Sequence, residues 1–74
     1  HEKEIIISIP DEIFSEALET YIRDTFEFEL SSVGCGSTEY EGKGDLHEIM
    51  ENLITNFGER TVDFLNMANK EDVT

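Results

Sequence analysis

The 74-residue chain has no tryptophan, one proline, one cysteine and only five lysine and arginine side chains. A lone Cys35 excludes an internal disulfide framework and suits a reducing, cytoplasmic setting. No apolar run approaches the roughly 20 residues of a membrane helix, and no signal-peptide pattern is present. The shortage of cations is the most consequential absence. Nucleic-acid affinity rests on Lys and Arg displacing counterions, so direct nucleic-acid binding is not expected. Attachment to an anionic membrane surface is disfavoured for the same reason.

What is abundant is negative charge: 18 Asp and Glu against those five cations give a formal charge of −13. Such a field favours basic partners, whether a cationic protein surface or divalent cations. The length allows a single domain over 1–74, with 1–3 and 70–74 expected to fray. The first residue, His1, reads as a processed end or a tag remnant. A chain of this size buries only about 60% of the surface its unfolded form exposes. Its apolar fraction of 38% includes five Phe, enough for a core, and dimerisation would reinforce it.

Glu4–Ile9 is β-branched and short, which predicts a strand. Ile5, Ile7 and Ile9 share one face, and Glu4, Ile6 and Ser8 the other. Pro10, Asp11 and Glu12 then open a helix, with the two carboxylates at the positive end of its dipole. Ile13, Phe14, Ala17, Leu18, Tyr21, Ile22 and Thr25 recur at spacings of three and four, so one apolar stripe runs to about Thr25. The period switches to two at Phe26, Phe28 and Leu30, alternating with Glu27, Glu29 and Ser31 as a half-buried strand. Gly34-Cys35-Gly36 supplies a turn, and Thr38–Glu41 returns as the second arm of a β-hairpin. Gly42-Lys43-Gly44 reads as a flexible connector, and Asp45 as an N-cap. Leu46, Ile49, Met50, Leu53, Ile54 and Phe57 make a second helical stripe, continued in phase by Thr61, Phe64, Leu65 and Ala68. A break or kink is expected at Gly58. The expected class is α+β, in the order β-α-β-β-α, with a three-stranded antiparallel sheet covered on one face by two helices.

The stretch E-I-I-I-S-I-P-D-E-I-F-S-E-A-L resembles the opening of ribbon-helix-helix repressors, in which a strand leads through a proline into a first helix. That likeness would imply groove reading by the strand, but the strand offers Glu4, Ile6 and Ser8 where such repressors present polar and basic side chains. A hairpin also stands where their second helix would follow. Cys35 between two glycines could be a nucleophile only if a base such as His47 or a positive field generated thiolate, and the acidic surroundings oppose this. His47 and Glu51, four apart on a helix with Asp45 and Glu48 close by, could bridge a divalent ion, but no HExxH pattern or Cys-His cluster supports them. Paired carboxylates abound on polar faces, with no apolar pocket to shift a catalytic pKa. No enzyme, cofactor or resident metal is expected.

The charge pattern carries more. Glu12, Glu16 and Glu19 lie along one face of the first helix, with Glu19–Arg23 as its one favourable pair. Glu27, Glu29, Glu39 and Glu41 alternate on one face of the hairpin. Glu48, Glu51, Glu59 and Asp63 follow on later helices. Like charges at helical spacing cost about 0.2–0.5 kcal/mol per pair, and solubility alone does not require so many. These features fit a small protein-binding module whose partner-binding residues are Glu12, Glu16, Glu19, Glu27, Glu29, Glu39 and Glu41. Its composition is similar to that of phage anti-restriction and anti-CRISPR inhibitors. The likeness implies a DNA mimic whose carboxylates replace phosphates in the basic cleft of a nucleic-acid-binding protein. The alternative is a structural or assembly domain that homodimerises through its sheet, using Ile6 and its neighbours.

Overall fold

The computed structural model describes residues 3–70. Four strands form one antiparallel sheet: β1 (Lys3–Pro10), β2 (Glu29–Gly34), β3 (Ser37–Gly44) and β4 (Asn66–Asn69), in the order β2-β3-β1-β4. The helices are α1 (Glu16–Thr20), continued by a π-helical turn over Tyr21–Thr25, then α2 (Leu46–Phe57) and α3 (Glu59–Phe64). Ile5, Ile7 and Ile9 are fully buried and join Tyr40, Leu18, Ile22, Ile49, Leu53 and Val62 in one core cluster. The helices therefore cover the face that carries the odd-numbered isoleucines. The opposite face, with Glu4, Ile6 and Ser8, has no helix layer among the described residues.

The α+β class is as expected, but the sheet has four strands instead of three. Gly58 takes φ +95° and ends α2, so the apolar phase restarts in α3: Val62 and Leu65 are buried, whereas Phe64 is 56% exposed. Leu65 is already extended, and the chain pairs with β1 through Ile5↔Asn69 and Ile7↔Met67. Ala68 thus lies in a strand and not on a helical stripe. The free edge of β1 supplies hydrogen bonds that the Asn-Met-Ala-Asn segment would not seek by its own propensity. Lys3 is in β1 and not frayed, while 1–2 and 71–74 lie outside the described residues.

The first helix also starts later than its stripe suggests. Asp11–Ile13 form a single 3-10 turn, and Ser15 caps α1 by accepting a hydrogen bond from the Leu18 amide at 3.1 Å. Phe14, Ala17 and Thr25 are consequently exposed instead of buried. The π turn widens the helix end, and the Phe28 amide reaches back to the Ile22 carbonyl at 3.3 Å. Edge-to-face packing of Tyr21 on Phe26 and on Phe57, with centroids 5.2 and 5.3 Å apart, fixes that end against α2. As a result β2 begins only at Glu29. Phe28 is buried before the strand opens, and Leu30, expected to be half-buried, is exposed.

Gly42-Lys43-Gly44 is not a connector but the last part of β3. A Cβ on Gly42 would stand 2.3 Å from Phe28 Cδ1, and one on Gly44 would stand 2.9 Å from Ile49 Cδ1. These glycines let aromatic and aliphatic side chains lie directly on the strand. Asp45 caps α2 as its position suggests, accepting from the His47 amide at 3.0 Å.

Candidate acidic interaction surface

Strand parity determines what the uncovered face presents. The pairings Glu29↔Glu41 and Ser32↔Glu39 between β2 and β3, and Ile6↔Glu41 and Ser8↔Glu39 between β3 and β1, set two rows across the sheet. One row reads Glu29, Glu41, Ile6, Ala68, and the next Ser32, Glu39, Ser8, Asn66. Directly opposed side chains have Cβ atoms about 4.5–5.5 Å apart, and alternate residues along a strand are about 6.6 Å apart. Glu29, Glu39 and Glu41 therefore form a compact carboxylate cluster at the β2 side of the open face. Within it the Ser32 hydroxyl donates a long hydrogen bond to Glu39 Oε1, at 3.5 Å.

Cations border this cluster on the same face, which the hairpin pattern did not reveal: Glu29, Glu41, Lys43 and Lys70 line one shallow depression. Lys70 Nζ lies 3.2 Å from Glu41 Oε1 and 4.0 Å from Glu4 Oε2, and Lys43 is the register partner of Glu4. The groups are exposed, so these pairs contribute little to stability. Their effect is on pattern: Lys43 and Lys70 border the Glu29–Glu41 pair, although among the described residues neither Glu29 nor Glu39 makes an ion pair. Glu4 and Lys70 become visible only once β4 is placed beside β1.

Glu27 lies just outside β2 and has φ +59°, the sole positive φ of a non-glycine residue among the described residues. The left-handed conformation costs an L-residue roughly 1–2 kcal/mol, and glycine usually fills such a position at a helix end. Glu27→Gly is thus expected to raise stability by about 1 kcal/mol, read as a shift in the urea midpoint with unchanged m.

The carboxylates expected on the first helix are on the other side of the sheet. Glu12 is in the 3-10 turn, and Glu16 begins α1. Glu19 is half-buried and accepts a 2.5 Å hydrogen bond from the Tyr40 hydroxyl. The seven predicted residues therefore do not form one surface. Burial first, then the Glu19 hydrogen bond and charge, push the Tyr40 phenol well above its ordinary value near 10, weakly opposed by Arg23. Since the folded state holds this proton more tightly, the unfolded chain releases it first as pH rises. The contribution to stability is complete below about pH 10 and is lost progressively above it. Tyr40→Phe is expected to cost about 1–2 kcal/mol at neutral pH by stranding Glu19. The same variant should flatten the alkaline fall, which denaturant midpoints at pH 8 and pH 11 would measure.

Cys35 is exposed at the hairpin turn, beside a Gly36 whose φ of +85° makes the tight connection possible. His47 stands beyond the far end of β3, so the eight residues of that strand separate the two by roughly 20 Å. They cannot form a thiol–imidazole pair. His47 Nε2 meets Glu51 Oε1 at 3.1 Å, with side chains 82% and 68% exposed. Among the described residues, no group of three or more His, Cys, Asp or Glu is placed to hold a metal ion. Nor, among them, is any helix long and apolar enough to cross a membrane. Comparison of the chain with protein-family models, curated proteins and solved structures finds no match in any of the three.

Proposed function

We propose that this protein is a small acidic interaction module that binds a basic partner through the outward face of its sheet. Glu29, Glu39 and Glu41 are its principal contacts, and Glu27 flanks them. One observation carries the reading: Glu29 and Glu41 are direct cross-strand partners. Like charges so placed destabilise a sheet, and the exposed Lys70–Glu41 ion pair offsets this only in part. A cationic surface brought against this face would relieve the repulsion. The partner class best suited is a nucleic-acid-binding protein, because carboxylates spaced about 5–7 Å apart can occupy a phosphate-binding cleft. The protein would then act as an inhibitor by mimicry.

The decisive experiment immobilises the protein, passes lysate over it and elutes along a salt gradient. A nucleic-acid-binding protein released at moderate salt, and displaced by DNA or RNA, supports the proposal. Recovery only of partners that resist salt would overturn it. A second reading is favoured by Ile6 and Ala68, adjacent and half-buried on a face that no helix covers. In that reading the sheet faces of two copies pack together. A salt-insensitive dimer that Ile6→Lys dissociates would establish assembly instead.

A further inference from the structure

We propose that the basic partner engages β2 by strand addition, contributing an extended segment that pairs with its free edge and places Lys or Arg beside Glu29. The inference rests on the basic-partner reading and specifies how that partner is held. Among the described residues β2 is a terminal strand with β3 as its one neighbour, and each of its six residues is exposed. A terminal strand directs a row of unpaired amides and carbonyls outward. Natural edges are commonly blunted by lysine, proline, β-bulges or brevity. β2 has neither lysine nor proline, and its one irregularity is a register shift between Leu30 and Ser32. The opposite edge differs: β4 has four residues, three of them half-buried.

The two faces of β2 specify the occupant. Leu30 and Val33 share the helix-side face with their partners Tyr40 and Thr38, yet are 46% and 72% exposed. Glu29 and Ser32 share the open face with Glu41 and Glu39. A strand added outside β2 would therefore set alternate residues against an apolar pair on one face and carboxylates on the other. Alternating apolar and basic residues complement both. A second copy does not, because β2 carries no cation and two chains of charge −13 would bring their Glu29 clusters together. Those clusters would lie near or within the roughly 10 Å screening length at 0.1 M salt.

The test uses four eight-residue probes: alternating Lys and Val, two forms of the same peptide N-methylated on alternate amides in one phase or the other, and alternating Glu and Val. Binding is followed by fluorescence anisotropy at low salt and by amide chemical shifts of the labelled protein. The Lys–Val peptide is expected to bind with its largest shifts in Glu29–Gly34. N-methylation in the phase that faces β2 should weaken it about tenfold or more, and the Glu–Val peptide should not bind. The Leu30→Lys/Val33→Lys variant, altered only at exposed positions, should also lose the Lys–Val peptide. If both N-methylated forms bind as well as the parent, with shifts spread over the open face, strand addition is wrong and the basic-partner reading stands. If no cationic probe binds at low salt, both are wrong. A concentration-dependent dimer whose interface shifts map to β2 would assign the edge to a second copy and overturn the proposal.

Discussion

Gly42→Ala is expected to destabilise the protein by about 2 kcal/mol and to lower Tm by roughly 10 °C. The cause is steric. Gly42 is an ordinary strand residue with no positive φ, so alanine suits its backbone. The obstacle is the Phe28 ring, whose Cδ1, Cγ and Cε1 would lie 2.3, 2.6 and 2.7 Å from the new Cβ. Contact along one whole side of a ring cannot be relieved by a small rotation. Phe28 is itself only 2% exposed and packs against Phe26, with centroids 6.2 Å apart. The ring must therefore move away from β3 and disturb the end of the first helix, where the Phe28 amide bonds to Ile22. Calorimetry on Gly42→Ala, Phe28→Leu and the double variant measures the coupling. The second substitution should recover part of the loss from the first, because a smaller side chain leaves room for the methyl group. Additive losses, or an unchanged Tm in Gly42→Ala, would mean that Phe28 does not lie on β3.

That glycine shows where sequence reasoning stops. Period-two and period-three-or-four patterns depend on which residues are apolar, so they correctly located β1, the hairpin, α2 and the break at Gly58. They also placed Ile5, Ile7, Ile9, Leu18, Ile22, Ile49 and Leu53 in the core. They failed where a residue's role depends on something distant in the chain. Gly42 and Gly44 resemble a flexible link until Phe28 and Ile49 are seen above them. Asn66–Asn69 has no strand propensity of its own and is extended because β1 has an edge to fill. The carboxylate surface follows the same division. Alternation put Glu39 and Glu41 on one face, but only the register made Glu29 and Glu41 direct neighbours. Glu19 looked like its neighbours on the first helix, yet it is held beneath that helix by Tyr40.

Glu29→Lys should separate the two roles that the acidic face could have. In the fold, the substitution removes a like-charge cross-strand pair, but the new cation shares Glu41 with Lys70, so stability should rise by only about 0.2–0.5 kcal/mol. The position is exposed and the backbone unstrained, so no packing loss offsets this gain. In binding, the same change puts a cation where the basic partner must approach. Affinity for the alternating Lys–Val peptide should fall at least about tenfold at low salt, equivalent to about 1.4 kcal/mol. The difference should shrink as salt screens the face. Glu59→Lys is the necessary control, because it changes net charge equally from an exposed site on α3, in the helix layer behind the sheet. If affinity depended on the overall field alone, both variants would weaken binding alike. If the face itself is the site, Glu29→Lys binds far less well than Glu59→Lys while being the more stable protein. Opposite movement of stability and affinity at Glu29 would show that the repulsion is retained for recognition. A Glu29→Lys variant that is stabilised and binds as before would leave the carboxylates without a part in binding.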